Sequence, residues 1–569
     1  MKAKTRKLLA LLLTAILLSG SISGCAILNA EEPDYPYDPN NPEYDLSGGI
    51  DANIPRNGEL AISFVPDDPL NPYTNTSRDN LAVSGLLYEG LFALGENFSS
   101  VPVLAQTITT LDGRNFMIEI QSGITFHNGA PLTVTDVIYS LNRARGSALY
   151  GSRLEIITGY SRIYDEDGTP SPYDLELTID RVHGNLPVLL TFPIIQQGTG
   201  YARVPPGTGP FQHPDDEGRP RLERFPAHPR NAELTLNTIY LAEINTIEQM
   251  AAYFNSGLLD IVFLDPTTMA EPRLAGTREV RFFEASMIDY LGFNLHRPET
   301  ARLEVRQAIS RAIDRDYITE NIMRGNAVSS TLPLHPALPF YDTILAQQHA
   351  YDLEAAREIL GSPIGEDDDR SHMWAPFPSD DDEPDEPEEE TETDVGRDDL
   401  GAPSDEDEDD EETPAPRLML LVAAGNTMRT EVATFIAANI SALGYQVVVV
   451  DLPYNEFMQA LEAGDFDLFY GQVRLQPDFD LTPILLGDLA FGGLDRAANG
   501  QAIDDFLASS QSNRGEMATA LGMSIFAQMP IATIGFRSQA VATQRGVVAG
   551  MNPTQENIYH NVWDWLLDL

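Results

Sequence analysis

Apolar and polar positions along the chain follow two spacings, which predict two kinds of element. Alternating apolar residues from Gly58 to Phe64 predict a strand, and the breakers Pro66 and Pro69 predict the loop after it. Apolar residues at helical spacing predict a helix over 82–92. The same patterns predict strands over 116–120 and 123–129, and a helix over 135–145 capped by Thr133 or Thr135.

The second half of the chain alternates between the two patterns. A basic helix is predicted over 301–314, and we expect its arginines to pair with surface or interlobe carboxylates. Further strands are predicted over 418–422, 446–450 and 467–470, with helices over 353–360, 431–443 and 455–462. Alternation of this kind favours a mostly parallel sheet covered by helices.

The N-terminus has the three-part pattern of an export signal. Basic residues precede an apolar run over 8–18 that is shorter than the roughly 20 residues of a membrane span. Small residues before Cys25 resemble a bacterial lipobox, so we expect residues 1–24 to be removed and Cys25 to be acylated. Residues 25–54 are rich in Pro, Asp and Tyr and predict a disordered tether. A plain secretory signal is the alternative.

A second segment lacks apolar periodicity. Residues 366–412 contain 25 Asp or Glu and two Arg. Such a segment buries too little apolar surface to offset the loss of chain entropy on folding, so we expect a disordered insertion over 366–415. Loose capture of divalent cations is an alternative role for these carboxylates. So is a surface protein that uses the segment for adhesion or cation buffering.

Charge and composition exclude several function classes. The 86 acidic and 36 basic residues give a formal net charge of −50, unsuited to a nucleic-acid binder. The only lysines are Lys2, Lys4 and Lys7, so the body lacks the amine that Schiff-base and phosphate-loop chemistry require. With Cys25 as the single cysteine, disulfides and Cys-rich metal sites are excluded as well.

Motifs for catalysis or metal binding are missing from the sequence. The nine histidines form no His-Glu-x-x-His pair, and no Gly-x-Ser-x-Gly elbow occurs. His127, beside Asn128 and Gly129, is interpreted as a polar loop-former. We therefore predict no catalytic residue, no metal and no cofactor, and favour ligand capture. An exported hydrolase with an unrecognised carboxylate pair remains a rival.

Several short motifs occur in order between residues 60 and 485. In the first half they are Leu87-Tyr88-Glu89-Gly90-Leu91, Val103-Leu104-Ala105, Gly123-Ile124-Thr125-Phe126-His127-Asn128-Gly129 and Leu132-Thr133-Val134-Thr135-Asp136-Val137. Later come Gly207-Thr208-Gly209-Pro210-Phe211, Leu291-Gly292-Phe293-Asn294, Val305-Arg306-Gln307-Ala308-Ile309, Ala312-Ile313-Asp314-Arg315 and Tyr351-Asp352-Leu353-Glu354-Ala355-Ala356. Together they resemble family 5 extracellular solute-binding proteins, the oligopeptide, dipeptide and nickel receptors of ABC importers.

The resemblance implies an α/β, two-lobed periplasmic-binding-protein-like fold (type II, cluster C) with a hinge and a subdomain inserted in lobe one. The implied segments are lobe one over 55–94, 201–285 and 516–569, the inserted subdomain over 95–200, and lobe two over 286–515.

The function implied is that of a lipid-anchored receptor on the outer face of the cytoplasmic membrane. It would act as a monomer, bind peptides by hinge closure and deliver them to ABC permease subunits. A receptor for another small solute, such as a nickel chelate or an oligosaccharide, is the rival within the family.

The resemblance also suggests ligand-binding residues. Asn71 and Tyr73 follow the first strand and Asn294 ends a later one, where binding loops lie in α/β sheets. In peptide-binding relatives an aspartate shortly before the proline of the 470–481 segment pairs with the ligand ammonium. Here Arg474 falls near that place, with Asp478 and Asp480 after Pro477. Trp563 and Trp565 are expected to pack within lobe one.

Membrane anchoring is predicted to depend on Cys25. Acyl chains contribute about 0.8 kcal/mol per buried methylene, so a diacylated cysteine holds the protein firmly. Cys25→Ser should release the protein or leave an uncleaved precursor, detected by membrane fractionation and metabolic labelling with a radioactive fatty acid. Unchanged acylation and membrane retention would contradict the lipobox.

Overall fold

The computed structural model describes residues 59–216, 218–264, 274–276, 278–361, 415–494, 496–546 and 548–567. The predicted signal peptide, Cys25, the tether and residues 366–414 of the acidic insertion lie outside these ranges. None of the helices in the described part of the chain is long and apolar enough to cross a membrane.

Two long antiparallel strands run through both halves of the main sheet. We call Arg278–Phe293 and Ile531–Gln544 the crossing strands. Residues 278–284 pair with 538–544 in the first lobe, and residues 287–292 pair with 531–537 in the second. An irregularity between Glu284 and Met287 separates the two halves. The lobes are therefore joined by paired strands.

The first lobe extends the sheet from the second crossing strand. Its strands, in sheet order, are Ile261–Leu264, Glu59–Phe64, Thr238–Glu243, Arg221–Arg224 and Phe211–Gln212. Its helices are Arg78–Leu87 and Ile247–Asn255. Glu59–Phe64 pairs in parallel with both of its neighbours. Buried side chains such as Leu60, Ile62, Leu241 and Trp565 form its core.

The second lobe extends the sheet from the first crossing strand. Its strands are Leu468–Arg474, Arg417–Ala423 and Gln446–Leu452, with Ala327–Ser329 on the second crossing strand. Its helices are Leu303–Ala312, Arg315–Tyr317, Thr343–Gln348, Leu353–Leu360, Thr427–Ser441, Tyr454–Ala463, Thr482–Leu485, Arg496–Ala508 and Arg514–Gln528. Arg417–Ala423 pairs in parallel with both neighbours, as the alternating pattern predicts.

A separate antiparallel sheet forms the inserted subdomain. Its strands, in sheet order, are Ala105–Thr110, Asn115–Ile120, Pro170–Ile179 and Ile157–Tyr164. Helix Val134–Arg145 packs beside them. The predicted segment boundaries stay predictions. Because helix Arg514–Gln528 packs on helices of the second lobe, the contacts favour a return to lobe one later than 516, along the second crossing strand.

Most predicted elements occur, but two predictions near the N-terminus are wrong. The helix expected over 82–92 is Arg78–Leu87, because the Ser77 side chain caps it and Tyr88 turns extended. The apolar residues beyond it enter strand Phe92–Leu94 instead. The strand expected over 123–129 is only an isolated bridge between Thr125 and Pro131. The helix expected over 135–145 is confirmed, with Thr133 and Asp136 forming a capping box.

Arg306, the buried arginine of the helix predicted over 301–314, does not pair with a carboxylate as expected. Arg306 donates to the carbonyls of Thr300, Ala301, Gln528 and Met529. The last two carbonyls end helix Arg514–Gln528, where its partial negative charge lies. Arg306 therefore ties two helices together, whereas the exposed Arg302 forms ion pairs with Glu299 and Glu304.

A buried ion pair lies between the crossing strands. The Arg537 Nε donates to Asp289, and both side chains are at most 1% exposed. The other Asp289 oxygen accepts from Gln472 Nε2 at 2.9 Å. Burying these charges is tolerable only because each has close hydrogen-bonding partners.

Removing the Asp289 charge should destabilise the whole fold. Asp289→Asn leaves the Arg537 guanidinium buried without its counter-ion and should lower the free energy of unfolding by about 3 to 5 kcal/mol. Urea denaturation measures this change. Asp216→Asn, at the exposed pair with Arg221, is the control and should change it little. Equal effects would contradict a structural role for the buried pair.

Candidate ligand-binding site

A cavity of about 500 Å³ opens where the first lobe, the subdomain and the second lobe meet. The first lobe supplies residues from 81 to 94, 228–230 and the segment between 555 and 563. The subdomain supplies 101–104 and residues around Arg153, and the second lobe supplies 474–477. Small-molecule sites commonly measure about 300–1,000 Å³.

A buried arginine joins the subdomain to the first lobe at the cavity wall. Arg153 forms an ion pair with Glu556, and its Nη2 donates to Thr191 Oγ1 at 2.8 Å. Its guanidinium also lies 4.8 Å from the Tyr150 ring centroid. The pKa of Tyr150 is raised, chiefly by burial, so its hydroxyl stays neutral.

A histidine–carboxylate pair forms another part of the wall. His228 Nδ1 accepts the Arg230 backbone N–H at 3.2 Å, which places the ring proton on Nε2. That nitrogen lies 3.1 Å from Glu89 Oε1, and Thr208 Oγ1 donates to Glu89 Oε2 at 2.9 Å. Glu89 is thereby held in one orientation.

An arginine stacks on a tryptophan beside this pair. The Arg230 guanidinium lies 3.9 Å from the Trp563 ring centroid and pairs with Glu233. Both Arg230 and Trp563 line the cavity. Trp565, by contrast, is fully buried in the first-lobe core, as expected.

The second lobe reaches the cavity through the end of strand Leu468–Arg474. Leu475, the first residue after this strand, is held by Ser286. The Ser286 carbonyl accepts the Leu475 N–H at 2.9 Å, and the Ser286 hydroxyl donates to the Leu475 carbonyl at 2.7 Å. Gln555 of the first lobe accepts the Ser286 N–H at 2.8 Å. Gln476 Nε2 donates to Ser152 Oγ of the subdomain at 2.9 Å. This loop therefore contacts the subdomain directly and is connected to the first lobe through Ser286.

Among the six predicted ligand-binding residues, Arg474 lines the cavity and is exposed there. Asn71 is buried and uses its amide on the Gly200 and Ala202 carbonyls, at 3.1 and 2.8 Å. The Tyr73 hydroxyl donates to the Pro193 carbonyl. The cavity gives no support to Asn71 or Tyr73, because the fold already occupies their polar atoms.

The other three lie elsewhere too. The Asn294 amide binds the Gly464 and Phe466 carbonyls, at 3.1 and 2.9 Å, inside the second lobe. Asp478 and Asp480 are buried where the second lobe touches the subdomain. Burial and the nearby Asp478 raise the pKa of Asp480. Burial also acts to raise the pKa of Asp478, but His183, the Asp480 N–H and Arg514 together lower it. For these residues ligand contact stays a prediction without support from the cavity.

Sequence reasoning missed several cavity residues: Glu89, Arg153, His228, Arg230, Glu556 and Trp563. They come from four segments, which only folding brings together. Glu89 carried a signal, since it lies in one of the motifs that mark the family resemblance. The others have no distinctive local pattern.

Glycines explain why two of the motifs occur together. A Cβ on Gly207 would lie 2.1 Å from the Leu87 carbonyl oxygen, and one on Gly209 would lie 2.5 Å from that of Leu86. His127 locks this turn, accepting the Gly207 N–H on Nδ1 and facing the Gly209 carbonyl with Nε2 at 3.2 Å. The structural reading of His127 agrees with these contacts.

Within the described ranges, no three His, Cys, Asp or Glu side chains are grouped so that they could share a metal ion. Two carboxylates of the cavity wall are instead paired with basic groups, Glu556 with Arg153 and Glu89 with His228, and much of the remaining lining is apolar or aromatic. Such a lining suits a small organic ligand that carries charges.

The sequence profile of the bacterial extracellular solute-binding proteins, family 5, matches residues 100–483, more than half of the chain. The chain belongs to this family. The family is one of extracellular solute-binding proteins, so the predicted family is confirmed.

Curated relatives of this family 5 chain include two proteins named glutathione-binding protein GsiB. That of Salmonella typhimurium strain LT2 is 22% identical over 320 residues, covering 54% of this chain and 61% of the relative. That of Escherichia coli K12 is 22% identical over 310 residues, covering 52% and 60%. The chain thus matches about three fifths of the length of these relatives.

Solved family structures share the fold. MppA, a periplasmic murein tripeptide binding protein in its unliganded open form, matches with a TM-score of 0.68 at 16% identity, over 90% of this chain and 98% of that one. AppA from Bacillus subtilis, in complex with a nonapeptide, matches with a TM-score of 0.56 at 17% identity, over 90% of this chain and 99% of that one. NikA from Brucella suis, in complex with Fe(III)-EDTA, matches with a TM-score of 0.62 at 15% identity, over 90% of this chain and 99% of that one. The predicted two-lobed fold is confirmed.

Burial of His127 should make stability depend on pH. Burial lowers its pKa to about 4, while in the unfolded chain it is about 6.5. Below about pH 6.5 the unfolded chain takes up a proton that the folded protein refuses, so stability falls. When the pH is lowered from about 7 to about 5, the free energy of unfolding of His127→Asn should therefore fall by about 2 kcal/mol less than that of the parent. Urea denaturation at both pH values, with the exposed His296→Asn as control, checks this. If His127→Asn and the parent lost the same free energy of unfolding between the two pH values, the prediction would be contradicted.

Proposed function

We propose that this family 5 protein is a lipid-anchored receptor that captures peptides between its two lobes and delivers them to the permease of an ABC importer. One observation carries the proposal: the cavity walls come from both lobes and the subdomain. A ligand bound there contacts both lobes at once, so it stabilises the arrangement in which they are closed.

The chemistry of the cavity favours a peptide. Its walls combine apolar and aromatic side chains with charged groups of both signs, Glu89 and Glu556 against Arg230 and Arg474. Peptides present the same mixture. Relatives named for glutathione, a murein tripeptide and oligopeptides point to the same class. The volume of about 500 Å³ favours the short members of it.

Arg474 indicates where the ligand carries negative charge. It is an exposed arginine at the tip of the second-lobe wall. The resemblance to peptide receptors suggests that they carry an aspartate near this place. A guanidinium prefers a carboxylate or phosphate to an ammonium group. We therefore expect the preferred peptide to present a carboxylate, or a blocked amine, toward Arg474.

The location and partners belong to the same proposal. Acylated Cys25 would hold the monomeric receptor on the outer face of the cytoplasmic membrane, with residues 25–54 as a tether. From there the closed, loaded form meets the permease subunits. Movement of one lobe about the crossing strands is the change that the permease would recognise.

The test is calorimetry of the ligand-stripped protein with short peptides in free and N-acetylated form. Glutathione and the nickel–histidine complex are included, and any peptide that co-purifies is identified by mass spectrometry. We expect micromolar or tighter binding of a short peptide, preferably N-blocked or acidic. Arg474→Ala should weaken it by more than tenfold, about 1.5 to 3 kcal/mol.

The matched control is Arg545→Ala, an exposed arginine of the first lobe outside the cavity. It should leave affinity unchanged. A clear preference for the free amine would show that a carboxylate such as Glu89 takes the ammonium. If only the nickel complex binds, the protein is a receptor for a nickel chelate and not for peptides. Turnover of the peptides would favour a hydrolase.

A further inference from the structure

Beside the cavity, the subdomain and the second lobe touch through a buried histidine–carboxylate pair and a partly exposed ion pair. His183 Nδ1 accepts the Asn185 N–H at 3.2 Å, so the proton lies on Nε2, which faces Asp478 Oδ2 at 3.0 Å. Arg181 Nη2 pairs with Asp480 Oδ2 at 3.4 Å. His183 and Asp478 are at most 5% exposed. Separating the two bodies would return both pairs to water.

A glycine lets the two backbones meet at the same contact. The Gly184 N–H donates to the Leu507 carbonyl at 2.8 Å. A Cβ on Gly184 would lie 1.8 Å from the Ser509 carbonyl oxygen, a distance that no side chain tolerates. The φ of Gly184 lies outside the left-handed region, so its own backbone would accept alanine. The need for glycine here comes from the second lobe.

Two aromatic residues complete the contact in unfavourable backbone conformations. Phe98 of the subdomain and Phe479 of the second lobe have φ of 57° and 62°. Their rings pack edge to face with centroids 4.9 Å apart, and His335 lies 5.1 Å from Phe98. Bulky residues rarely adopt left-handed φ, and such strain persists where the surroundings hold it and clusters at switch regions.

The subdomain is fastened to the first lobe, so this contact bridges the two lobes. Arg153 pairs with Glu556, and His127 and Asn71 bind the turn at 207–209 and the 200–202 segment. The residues of the contact also continue the 474–477 loop that lines the cavity.

We propose that residues 181–184 with Phe98, against Asp478, Phe479, Asp480 and Leu507, form a latch that holds the two lobes closed in the ligand-free protein. The ligand then adds to a closure that the chain itself already favours. The latch would stabilise the closed arrangement whichever ligand the cavity binds.

The experiment measures the distance between the two bodies by pulsed electron paramagnetic resonance. The full chain, ligand-stripped and carrying Cys25→Ser, receives spin labels at Thr109→Cys on the subdomain and Gln459→Cys on the second lobe, both exposed. We expect mainly short distances in this parent. Gly184→Ala should shift the distribution to longer distances, because the methyl group wedges the latch open.

The control is Gly159→Ala in the same subdomain, where a Cβ would meet Thr178 at an ordinary 3.7 Å. It should keep the short distances. Long distances in the parent itself, or identical distributions for the two alanine variants, would overturn the latch.

A second variant guards against misfolding of Gly184→Ala, which circular dichroism would reveal. Arg181→Glu sets a second carboxylate against Asp480 at a partly exposed position that the fold tolerates. It should produce the same shift to longer distances, and unchanged distances would overturn the proposal.

Discussion

The pairing of the two crossing strands is the constraint on which the rest of the structure depends. Their register places Arg537 against Asp289 at a point where neither charge reaches water. A slip of one residue would turn Arg537 to the opposite face of the sheet and leave both charges unpaired. Since Gln472 and Tyr470 of the next strand also bind this pair, the register of the second-lobe sheet is fixed by the same cluster. The polar core specifies one alignment, which apolar strands alone would leave less certain.

The same alignment positions the cavity. Ser286 lies at the irregularity between the two halves of the first crossing strand, and it holds Leu475 on one side and Gln555 on the other. The second-lobe wall at 474–477 and the first-lobe wall near 555 are thus set relative to each other by one residue of the link. Three residues further on, Asp478 meets the subdomain. Any ligand that displaces this loop acts directly on the contact between the lobes.

Local patterns in the sequence were enough for most elements and for the family. Periodicity located helices such as Leu353–Leu360, and the Thr133 cap followed from chemistry within one turn. The helix near residue 82 was misplaced because apolar residues beyond Tyr88 fit helical spacing but pack as a strand. The cavity was mostly out of reach. Arg153 and Glu556 are about four hundred positions apart, and nothing local marks them as partners.

The interior also shows why a chain whose body has no lysine can be built this way. Arg315 is buried and donates to the carbonyls of Thr533, Ser310 and Ile313, which a single amine could not reach together. Burial lowers its pKa to about 10, so it remains charged at neutral pH. A lysine that started near 10.4 and suffered the same shift would fall to about 8 and begin to lose its charge. At the Arg315 position the guanidinium group therefore keeps its charge more securely than an amine would and supplies the several donors that the carbonyls need.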